Sequence, residues 1–337
     1  MRTNHPAGET HPVGGFQAAL DVHGVPACAR MRILVTGVTG YVGGSLVPRL
    51  QRDGHELVGL SRRGADGAGP SGVTMVAGDA FTGAGLARAL EGVEVAFYLI
   101  HSMERASSGG GGFADAERRS AEHFAGAARA AGVRRVVYLG GLVPSGERLS
   151  AHLASRLAVE EVLLDALPDA LALRASIVVG ARSRSFRFLV RLVERVPIMP
   201  LPPWTRFRTQ PIDGRDMAEL LGAAATVPTV AGRSLDAVGP DILSYREMID
   251  RIRDHMLVPR PSLRLPVSLT PLSSRVAAAI AGEDPALIEP LMGSLGSDLL
   301  PREEQAAPVL GVRLRSFDRA VERALREWEA DEELAAR

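Results

Sequence analysis

From Met31 onward, short apolar runs rich in β-branched residues alternate with longer stretches whose apolar positions recur at helical spacing. This alternation is typical of a parallel sheet with helices packed on both faces. Most of the apolar runs are nearly continuous, which is the pattern of strands buried on both sides. The predicted strands are Arg32–Thr36, Glu56–Leu60, Thr74–Ala77, Val95–Ile100, Arg135–Leu139 and Leu171–Val179.

The stretches between these strands predict helices, and the order of the elements predicts the topology. Because crossovers between parallel strands are right-handed, the sequence favours an α/β fold, a Rossmann-like doubly wound parallel sheet. Proline lacks an amide donor, so we expect Pro48 to weaken or bend the first helix. The predicted helices are Val42–Arg52, Leu86–Leu90, Phe113–Ala131, Ala151–Leu164 and Phe186–Val196.

The pattern changes after residue 197, where a cluster of prolines precedes Trp204 and predicts a boundary. Helical spacing returns near Asp213–Thr226 and Ser244–Met256, and again from Ser316, where Trp328 falls on the apolar face of the last helix. We expect a disordered extension over residues 1–30, a Rossmann-like domain over 31–235, and a smaller C-terminal lobe over 236–337 that is partly interleaved with 181–210.

Composition narrows the class of partner and the compartment. The 39 basic and 39 acidic residues give no net charge, so nothing favours a nucleic acid as partner. The lone cysteine, Cys28, excludes an intramolecular disulfide and a cysteine-rich metal site, which suits a reducing compartment. No apolar run reaches the ~20 residues of a membrane span. We expect a cytoplasmic protein that holds no metal and acts on a small molecule; it is a monomer or a homodimer, and the sequence does not decide between them.

A glycine-rich turn follows the first strand. Three glycines recur at a spacing of three between a strand and a helix, which is typical of dinucleotide binding in a βαβ unit. The glycines permit a tight turn and a close approach of backbone amides to a diphosphate, and the helix N-terminus adds positive partial charge. The cofactor contacts predicted in this turn are Gly37, Thr39, Gly40, Tyr41, Val42 and Gly43.

The ends of the next two strands bear on which dinucleotide binds. NAD-binding proteins usually carry an acidic residue after the second strand, where it accepts from ribose hydroxyls. This strand ends instead in Ser61, Arg62 and Arg63, which can bind a 2′-phosphate, so we predict a preference for NADP(H), with NAD(H) possible. The alternative is a solvated arginine pair at a strand edge. Asp79, followed by Ala80, either accepts from the adenine amino group or caps the next turn.

With these residues in place, the chain resembles the atypical extended short-chain dehydrogenase/reductase superfamily, and especially its NmrA-like and complex I accessory-subunit-like branch. The resemblance is strongest over Thr36–Gly44, Tyr98–Met103, Val137–Leu142 and Arg208–Ile212. It implies that the loop after the fourth strand borders the ribose and diphosphate, and that the sixth strand meets the nicotinamide. The contacts that it implies are Ile100, His101, Ser102, Gly140, Ala175 and Ile177. His101 has an alternative reading, as a satisfied polar residue at a strand end.

The catalytic signature of that superfamily is missing. Its standard members place a lysine four residues after a tyrosine, and the tyrosine passes a proton to the substrate oxygen. Here the matching positions are His152 and Arg156, and the usual serine falls near Gly140 or Gly141; the sequence contains no lysine. His152 and Arg156 share a helix face, so Arg156 could hold the ribose while His152 donates a proton. The alternative is a surface pair without a chemical role.

Two functions fit these observations. The first is an NADP-dependent oxidoreductase of a small carbonyl, enone or quinone-like substrate, bound in a cleft that Trp204 and Arg206–Arg208 line. The second is a non-catalytic NADP(H)-binding redox sensor or assembly factor. Sugar-nucleotide epimerase chemistry is disfavoured, because it depends on the missing tyrosine and lysine. The sequence leaves open whether the protein is an enzyme.

Overall fold

The fold is an α/β sandwich built around one parallel sheet. A computed structural model describes residues 29–64, 69–101, 112–144, 149–264, 294–332 and 334. Its strands are β1 (Arg32–Thr36), β2 (Glu56–Ser61), β3 (Val73–Ala77), β4 (Val95–Tyr98), β5 (Arg135–Gly141), β6 (Leu171–Ala175), β7 (Val178–Val179), β8 (Met199–Leu201), β9 (Arg208–Thr209), β10 (Ile212–Asp213), β11 (Arg233–Asp236), β12 (Leu243–Ser244) and β13 (Ser262–Arg264).

Helices connect these strands. They are α1 (Tyr41–Arg52), α2 (Leu86–Ala89), α3 (Phe113–Ala130), α4 (Ala151–Ala166), α5 (Arg184–Arg195), α6 (Gly214–Thr226), α7 (Tyr245–His255), α8 (Ala306–Leu310) and α9 (Phe317–Asp331). Short 3₁₀ turns lie at 203–206, 228–230 and 294–296. Helix α1 continues through Pro48 to Arg52. Within the described part of the chain, no helix has the length and apolar character needed to cross a bilayer.

The main sheet has seven parallel strands in the order β3-β2-β1-β4-β5-β6-β11. This order confirms the doubly wound, Rossmann-like prediction, and the winding direction reverses between β1 and β4. Ligands of such sheets bind in the crevice beyond the carboxyl ends of the strands at that reversal. One apolar cluster packs α1, α6 and α8 on one face of the sheet, and another packs α2, α3 and α4 on the other.

The prediction of one strand over Leu171–Val179 is wrong. Strand β6 ends at Ala175, and the chain leaves the main sheet before β7, which pairs with β10 in a separate two-stranded ladder. The Ser176 hydroxyl donates to the carbonyl of Gln210 at 3.0 Å, and the Ile212 amide donates to Ile177 at 3.0 Å. Arg174 and Ser176 interrupt the apolar run, but strand-forming residues resume at once with Ile177, so the pattern of residue types alone does not mark the break. The seventh strand, β11, was not predicted either.

A third apolar cluster lies beyond the sheet and joins α5, α7 and α9. Trp328 is 1 % exposed within it, which confirms its predicted place in the core. Segment 181–210 contributes side chains to this cluster, whereas α8 packs on the sheet although it lies beyond residue 236. The predicted domain limits therefore remain predictions, and the extension over residues 1–30 lies almost wholly outside the described residues.

Candidate functional site

A cleft of about 870 Å³ opens at the carboxyl ends of the strands, where β1 and β4 diverge. Its volume is in the range of small-molecule and cofactor sites. Thr36, at the end of β1, is fully buried and holds the two strand ends in place: its hydroxyl donates to the carbonyl of Phe97 at 3.0 Å and accepts from the amide of Leu99 at 3.0 Å. Thr36 positions the crevice without facing it, and sequence reasoning missed this role.

The glycine turn forms the floor of the cleft. Gly37 has a φ of +63°, and a Cβ there would lie 2.8 Å from the carbonyl oxygen of Leu99. A Cβ on Gly43 would lie 2.4 Å from the carbonyl oxygen of Gly37, so α1 packs against the turn at a distance that only glycine permits. Gly40 caps α1 without a side-chain hydrogen bond. The first amides of α1 are thus left for another acceptor, as an anion-binding helix start requires.

Most of the predicted cofactor residues come together in this cleft. Those that line it are Gly37, Thr39, Gly40, Tyr41, Val42, Gly43, Ser61, Arg62, Arg63, Asp79, Ala80, Ile100, His101, Gly140 and Ala175. His152 and Arg156, the predicted catalytic pair, also line it. Ile177 lines a neighbouring apolar pocket instead, because the chain turns away from the sheet after Ala175. Ser102 lies outside the described residues.

At the end of the cleft where the sequence predicts the adenosine (the adenosine end), side chains reach the cleft from the ends of β2 and β3. Arg62 and Arg63 are exposed beside Ser61, whose hydroxyl accepts from the amide of Arg63 at 3.2 Å. Asp79 accepts from the amide of Phe81 at 3.0 Å, which is the turn-capping geometry that the sequence left as the alternative for this residue. The two arginines at the end of β2 and the carboxylate of Asp79 after β3 therefore lie at the same end of the cleft, on neighbouring strands.

The apolar pocket adjoins the other end of the cleft. It measures about 120 Å³ and shares Gly141, His152, Ala175, Ser176 and Ser185 with the cleft. Apolar side chains make up most of its remaining wall: Leu142, Leu153, Ile177, Phe188, Leu189, Trp204, Leu295 and Leu299. Trp204 thus lies where the sequence predicted it. Arg206 and Arg208 do not line either cavity; Arg208 pairs with Asp298 at 2.7 Å.

Two imidazoles meet where the cleft joins this pocket. The rings of His101 and His152 stack with centroids 5.0 Å apart, and Phe113 lies 6.0 Å and 6.3 Å from them. His101 follows β4 and His152 lies in the first turn of α4, whose start is fixed by Ser150, an N-cap that accepts from the amide of Leu153. The sequence therefore placed both histidines at the site, but not their contact.

A buried carboxylate, that of Glu117 in α3, lies behind the two rings. Glu117 is 2 % exposed; it contacts His101 Nδ1 at 3.0 Å, and the hydroxyl of Ser155 donates to it at 2.8 Å. Burial alone would raise its pKa, but the hydrogen bond from His101 and the charge of Arg156 outweigh that cost and lower the pKa to about 2. Glu117 is therefore a carboxylate at neutral pH.

The guanidinium of Arg156 is engaged by protein groups. It donates to the carbonyls of Ile100 and Leu139, at the ends of two neighbouring strands, and lies 3.4 Å from Glu117. It also lies 4.9 Å above the ring of Tyr138. Arg156 thus ties the ends of the sheet to α3 and α4. It lines the cleft while being only 8 % exposed, which leaves a small face for a ligand.

His152 is a poor base in this setting. Burial, followed by the nearby His101 and Arg156, lowers the pKa of His152 to about 4, so the ring is neutral at pH 7. Its Nδ1 atom is buried and has no hydrogen-bond partner among the described residues. His152 therefore offers an uncharged imidazole to anything bound at the junction of the two cavities.

Sequence reasoning missed Glu117, although a signal was present. Glu117 shares one face of its helix with Ser120, Ala121 and Phe124, all of which are buried. A carboxylate on the apolar face of an amphipathic helix is unusual unless it is paired, so helical spacing alone could have singled it out. The segment 182–185, which lines the cleft from the start of α5, carried no comparable signal.

Comparisons with known proteins agree with this geometry. The NmrA-like family profile matches residues 29–164. A ceramide reductase from Caulobacter vibrioides is 31% identical over 243 residues, which cover 71% of this chain and 74% of the relative. A subunit of mitochondrial NADH dehydrogenase from Arabidopsis thaliana, alpha subcomplex subunit 9, is 27% identical over 144 residues, which cover 42% of this chain and 36% of that protein.

Solved structures show the same fold. MoeE5 in complex with UDP-glucuronic acid and NAD superposes with a TM-score of 0.67 at 19% identity, covering 89% of this chain and 99% of that one. At this level of identity the likeness concerns the fold only. The glycine turn, the strand order and the sequence relatives together identify the chain as a member of the NAD(P)-binding, atypical extended short-chain dehydrogenase/reductase superfamily, in its NmrA-like branch.

Proposed function

We propose that this protein is an NADP(H)-dependent oxidoreductase that reduces a carbonyl group carried by an apolar molecule. One observation supports this most directly: the dinucleotide-sized cleft and the apolar pocket share a wall, and His152 lies in it. A reductase needs such a junction, because the substrate must be held in an apolar place beside the reacting end of the cofactor. The relative named as a ceramide reductase supports an apolar substrate.

The cleft has the features that a dinucleotide needs. Gly37 and Gly43 have no Cβ, so the turn packs tightly against Leu99 and α1 and its backbone is accessible to a diphosphate. The uncapped start of α1 supplies amide donors for it. When bound, NADPH would supply a hydride to the carbonyl carbon. Gly140 and Ala175, at the ends of β5 and β6, would lie beside its nicotinamide, as the family resemblance implies.

The preference for NADP(H) over NAD(H) is part of the proposal. Its support is the exposed pair Arg62 and Arg63, which flank the adenosine end without an acidic residue at the end of β2. Guanidinium groups bind phosphate in bidentate geometry, whereas a carboxylate in that place would repel it.

His152 is proposed to contact the substrate oxygen. As a neutral imidazole it can donate an N–H hydrogen bond to a carbonyl oxygen, and so polarise the bond without carrying a charge into an apolar pocket. Arg156 is proposed to act mainly by holding the ends of β4 and β5, because its guanidinium already contacts the carbonyls of Ile100 and Leu139.

The test is a substrate series measured by NADPH oxidation. Ketones with apolar chains of increasing length should be reduced with falling KM, because each added methylene buried in the pocket contributes about 0.8 kcal/mol. Leu295→Trp, which fills the pocket from its rim, should raise the KM for these ketones while leaving the Kd for NADPH within about twofold. Ile242→Trp, at an exposed position outside both cavities, is the control and should leave both constants unchanged. A KM that L295W does not raise would remove the pocket from the proposal.

The second candidate is a non-catalytic NADP(H)-binding sensor or assembly factor. It is favoured by the absence of lysine from the sequence and by the engaged state of Arg156. The relative named as an NADH dehydrogenase subunit also supports it. Tight binding of NADPH without turnover of any ketone, enone or quinone would decide in its favour.

A further inference from the structure

The proposed reductase lacks the tyrosine and lysine that deliver the proton in standard members of the superfamily. The buried Glu117 points to a side chain that takes over this role. In acid–base catalysis an imidazole is typically held by a carboxylate, which fixes its tautomer and stabilises its protonated form. Among the two stacked rings, only His101 has such a partner: its Nδ1 lies 3.0 Å from Glu117 Oε1. His152 Nδ1 has none among the described residues.

We propose that Glu117 and His101 form a carboxylate–imidazole dyad that delivers the proton to the substrate oxygen, in place of the missing tyrosine and lysine. This inference rests on the proposed reductase function and names its acid. His101 is the catalytic residue and Glu117 the positioning residue. Two facts beyond their contact support it: His101 lines the cleft with about a third of its side chain exposed, and its ring stacks on His152 at the junction with the apolar pocket.

The chemistry of Glu117 fixes the tautomer of His101. An ionised carboxylate can only accept hydrogen bonds, so the proton in this contact must lie on His101 Nδ1. Nε2 is then the ring nitrogen that takes up and releases a proton. Ser155 and Arg156 hold the same carboxylate from α4, so it cannot turn away from the ring without losing those contacts.

The step balances as follows. Bound NADPH would supply a hydride to the substrate carbonyl carbon and leave as NADP⁺, and the carbon–oxygen double bond would become single. The oxygen gains the proton of His101 Nε2–H, which leaves a neutral ring with its Nδ1–H still donated to Glu117. Solvent at the cleft then returns a proton to Nε2. The product is an alcohol, and no other reactant is required.

The charges around His101 determine the sign of the pH dependence. Glu117 faces the ring from α3, Arg156 and His152 face it from α4, and Arg184 approaches from α5. Burial and the two arginines lower the pKa of His101, while Glu117 opposes them. Reduction should therefore speed up as the pH falls toward that pKa. Loss of the Glu117 charge lowers the pKa of His101 further, so the pH below which reduction speeds up should also be lower.

The first test reads the tautomer directly and needs neither cofactor nor turnover. Histidine ¹H–¹⁵N correlation spectra of the wild-type protein at neutral pH should contain an Nδ1–H signal that His101→Gln removes, beside that of His123, whose Nδ1 faces the carbonyl of Phe81. An Nε2–H tautomer for His101 would overturn the dyad.

The second test is kinetic. His101→Gln should lower kcat for the best ketone by about 100-fold, the usual range for a lost general acid. Glu117→Gln keeps the shape of the side chain but removes its charge; it should lower kcat about tenfold and lower the pH above which the rate declines by about one unit, with the Kd for NADPH unchanged.

Two matched variants control for the loss of an ion pair. His255→Gln removes a histidine that also faces a carboxylate, that of Asp318, but lies outside the cleft. Glu194→Gln removes a buried glutamate paired with Arg191, also outside the cleft. Both should keep the wild-type kcat and pH profile.

The outcomes separate the two proposals. Wild-type kcat in H101Q, or a raised Kd for NADPH in E117Q with kcat and pH profile intact, overturns the dyad as proton source and leaves the reductase function standing. If wild-type protein binds NADPH but reduces no ketone, the reductase function fails even where the Nδ1–H tautomer is present, and the proton-delivery role fails with it.

Discussion

The two ends of the cleft differ in what forms them: backbone atoms form one end and side chains form the other. At the diphosphate end, the shape comes from backbone: glycines without Cβ atoms, an uncapped helix start and a strand that stops at Thr36. At the end where we propose the reaction (the reaction end), the shape comes from side chains of three separate segments, which bring together His101, Glu117, His152 and Arg156.

This difference has a physical consequence. A backbone cradle is specified locally, by a few residues in one turn, and tolerates almost no added atom. The side-chain cluster is specified by packing between β4, α3 and α4, and it is held by buried charges that must stay paired. The first end should therefore fail through steric exclusion of the cofactor, and the second through protonation and charge.

The largest effect should come from adding one methyl group to the backbone end. Gly43→Ala places a Cβ 2.4 Å from the carbonyl oxygen of Gly37, so the turn or the helix must move. We expect the Kd for NADPH to rise at least 100-fold, which corresponds to about 2.7 kcal/mol, in calorimetric titration.

The neighbouring glycine provides the control for that substitution. In Gly44→Ala the nearest atom to the new Cβ would be the carbonyl oxygen of Val38 at 3.6 Å, an ordinary contact. G44A should bind NADPH as the wild type does and gain some helix stability, because alanine favours a helix over glycine. Equal losses in the two variants would show that flexibility of the turn, rather than steric exclusion, governs binding.

The reaction end should respond to acid instead. The pKa of His152 is lowered from 6.5 to about 4 in the folded chain, so between these values the unfolded chain binds more protons and stability falls as the pH falls. From pH 8 to pH 5 the free energy of unfolding should drop by about 2 kcal/mol through this group. His152→Phe, which keeps an aromatic ring against Phe113, should remove that part of the slope in urea titrations.

Glu117 acts in a separate and lower pH window. Its pKa is depressed from 4.5 to about 2, so its contribution to stability is complete above pH 4.5 and is lost as the pH falls toward 2.

The H152F variant decides whether His152 causes the loss of stability between pH 8 and pH 5. If H152F still lost the full free energy of unfolding over that range, the buried neutral state of His152 would not be the cause.

The same contrast explains what the sequence could predict. The parallel, doubly wound sheet follows from the alternation of apolar runs and helical stretches, and the structure confirms it. The glycine turn follows from glycine spacing, and it lies between β1 and α1 as predicted. The break after Ala175 was missed because strand-forming residues lie on both sides of Ser176, while the hydrogen-bond partners of the chain change from β5 to β10. Partner strands are tertiary information that periodicity does not carry.

The reaction end was predicted as a set of residues but not as a network. Four-residue spacing placed His152 and Arg156 on one helix face, and the structure keeps both at the cleft. It could not reveal that Arg156 is engaged by the carbonyls of Ile100 and Leu139, because those contacts join segments distant in sequence. Glu117 was visible as a charge on an apolar face, but its partners were not.

The smallest effect should come from the adenosine end, where exposed side chains act in solvent. Arg62→Ala should raise the Kd for NADPH about tenfold and the Kd for NADH less than twofold, because an exposed cation–phosphate pair is partly screened by water and salt. Arg52→Ala removes an exposed arginine of α1 that pairs with Glu219 away from the cleft, and should change neither Kd. The NADPH effect of R62A should shrink as salt is raised, whereas the loss in G43A should not, since a steric clash is insensitive to ionic strength. Equal losses of NADPH and NADH in R62A would mean that Arg62 serves the shared diphosphate or the adenine ring, and the proposed preference for NADP(H) would then lack its structural basis.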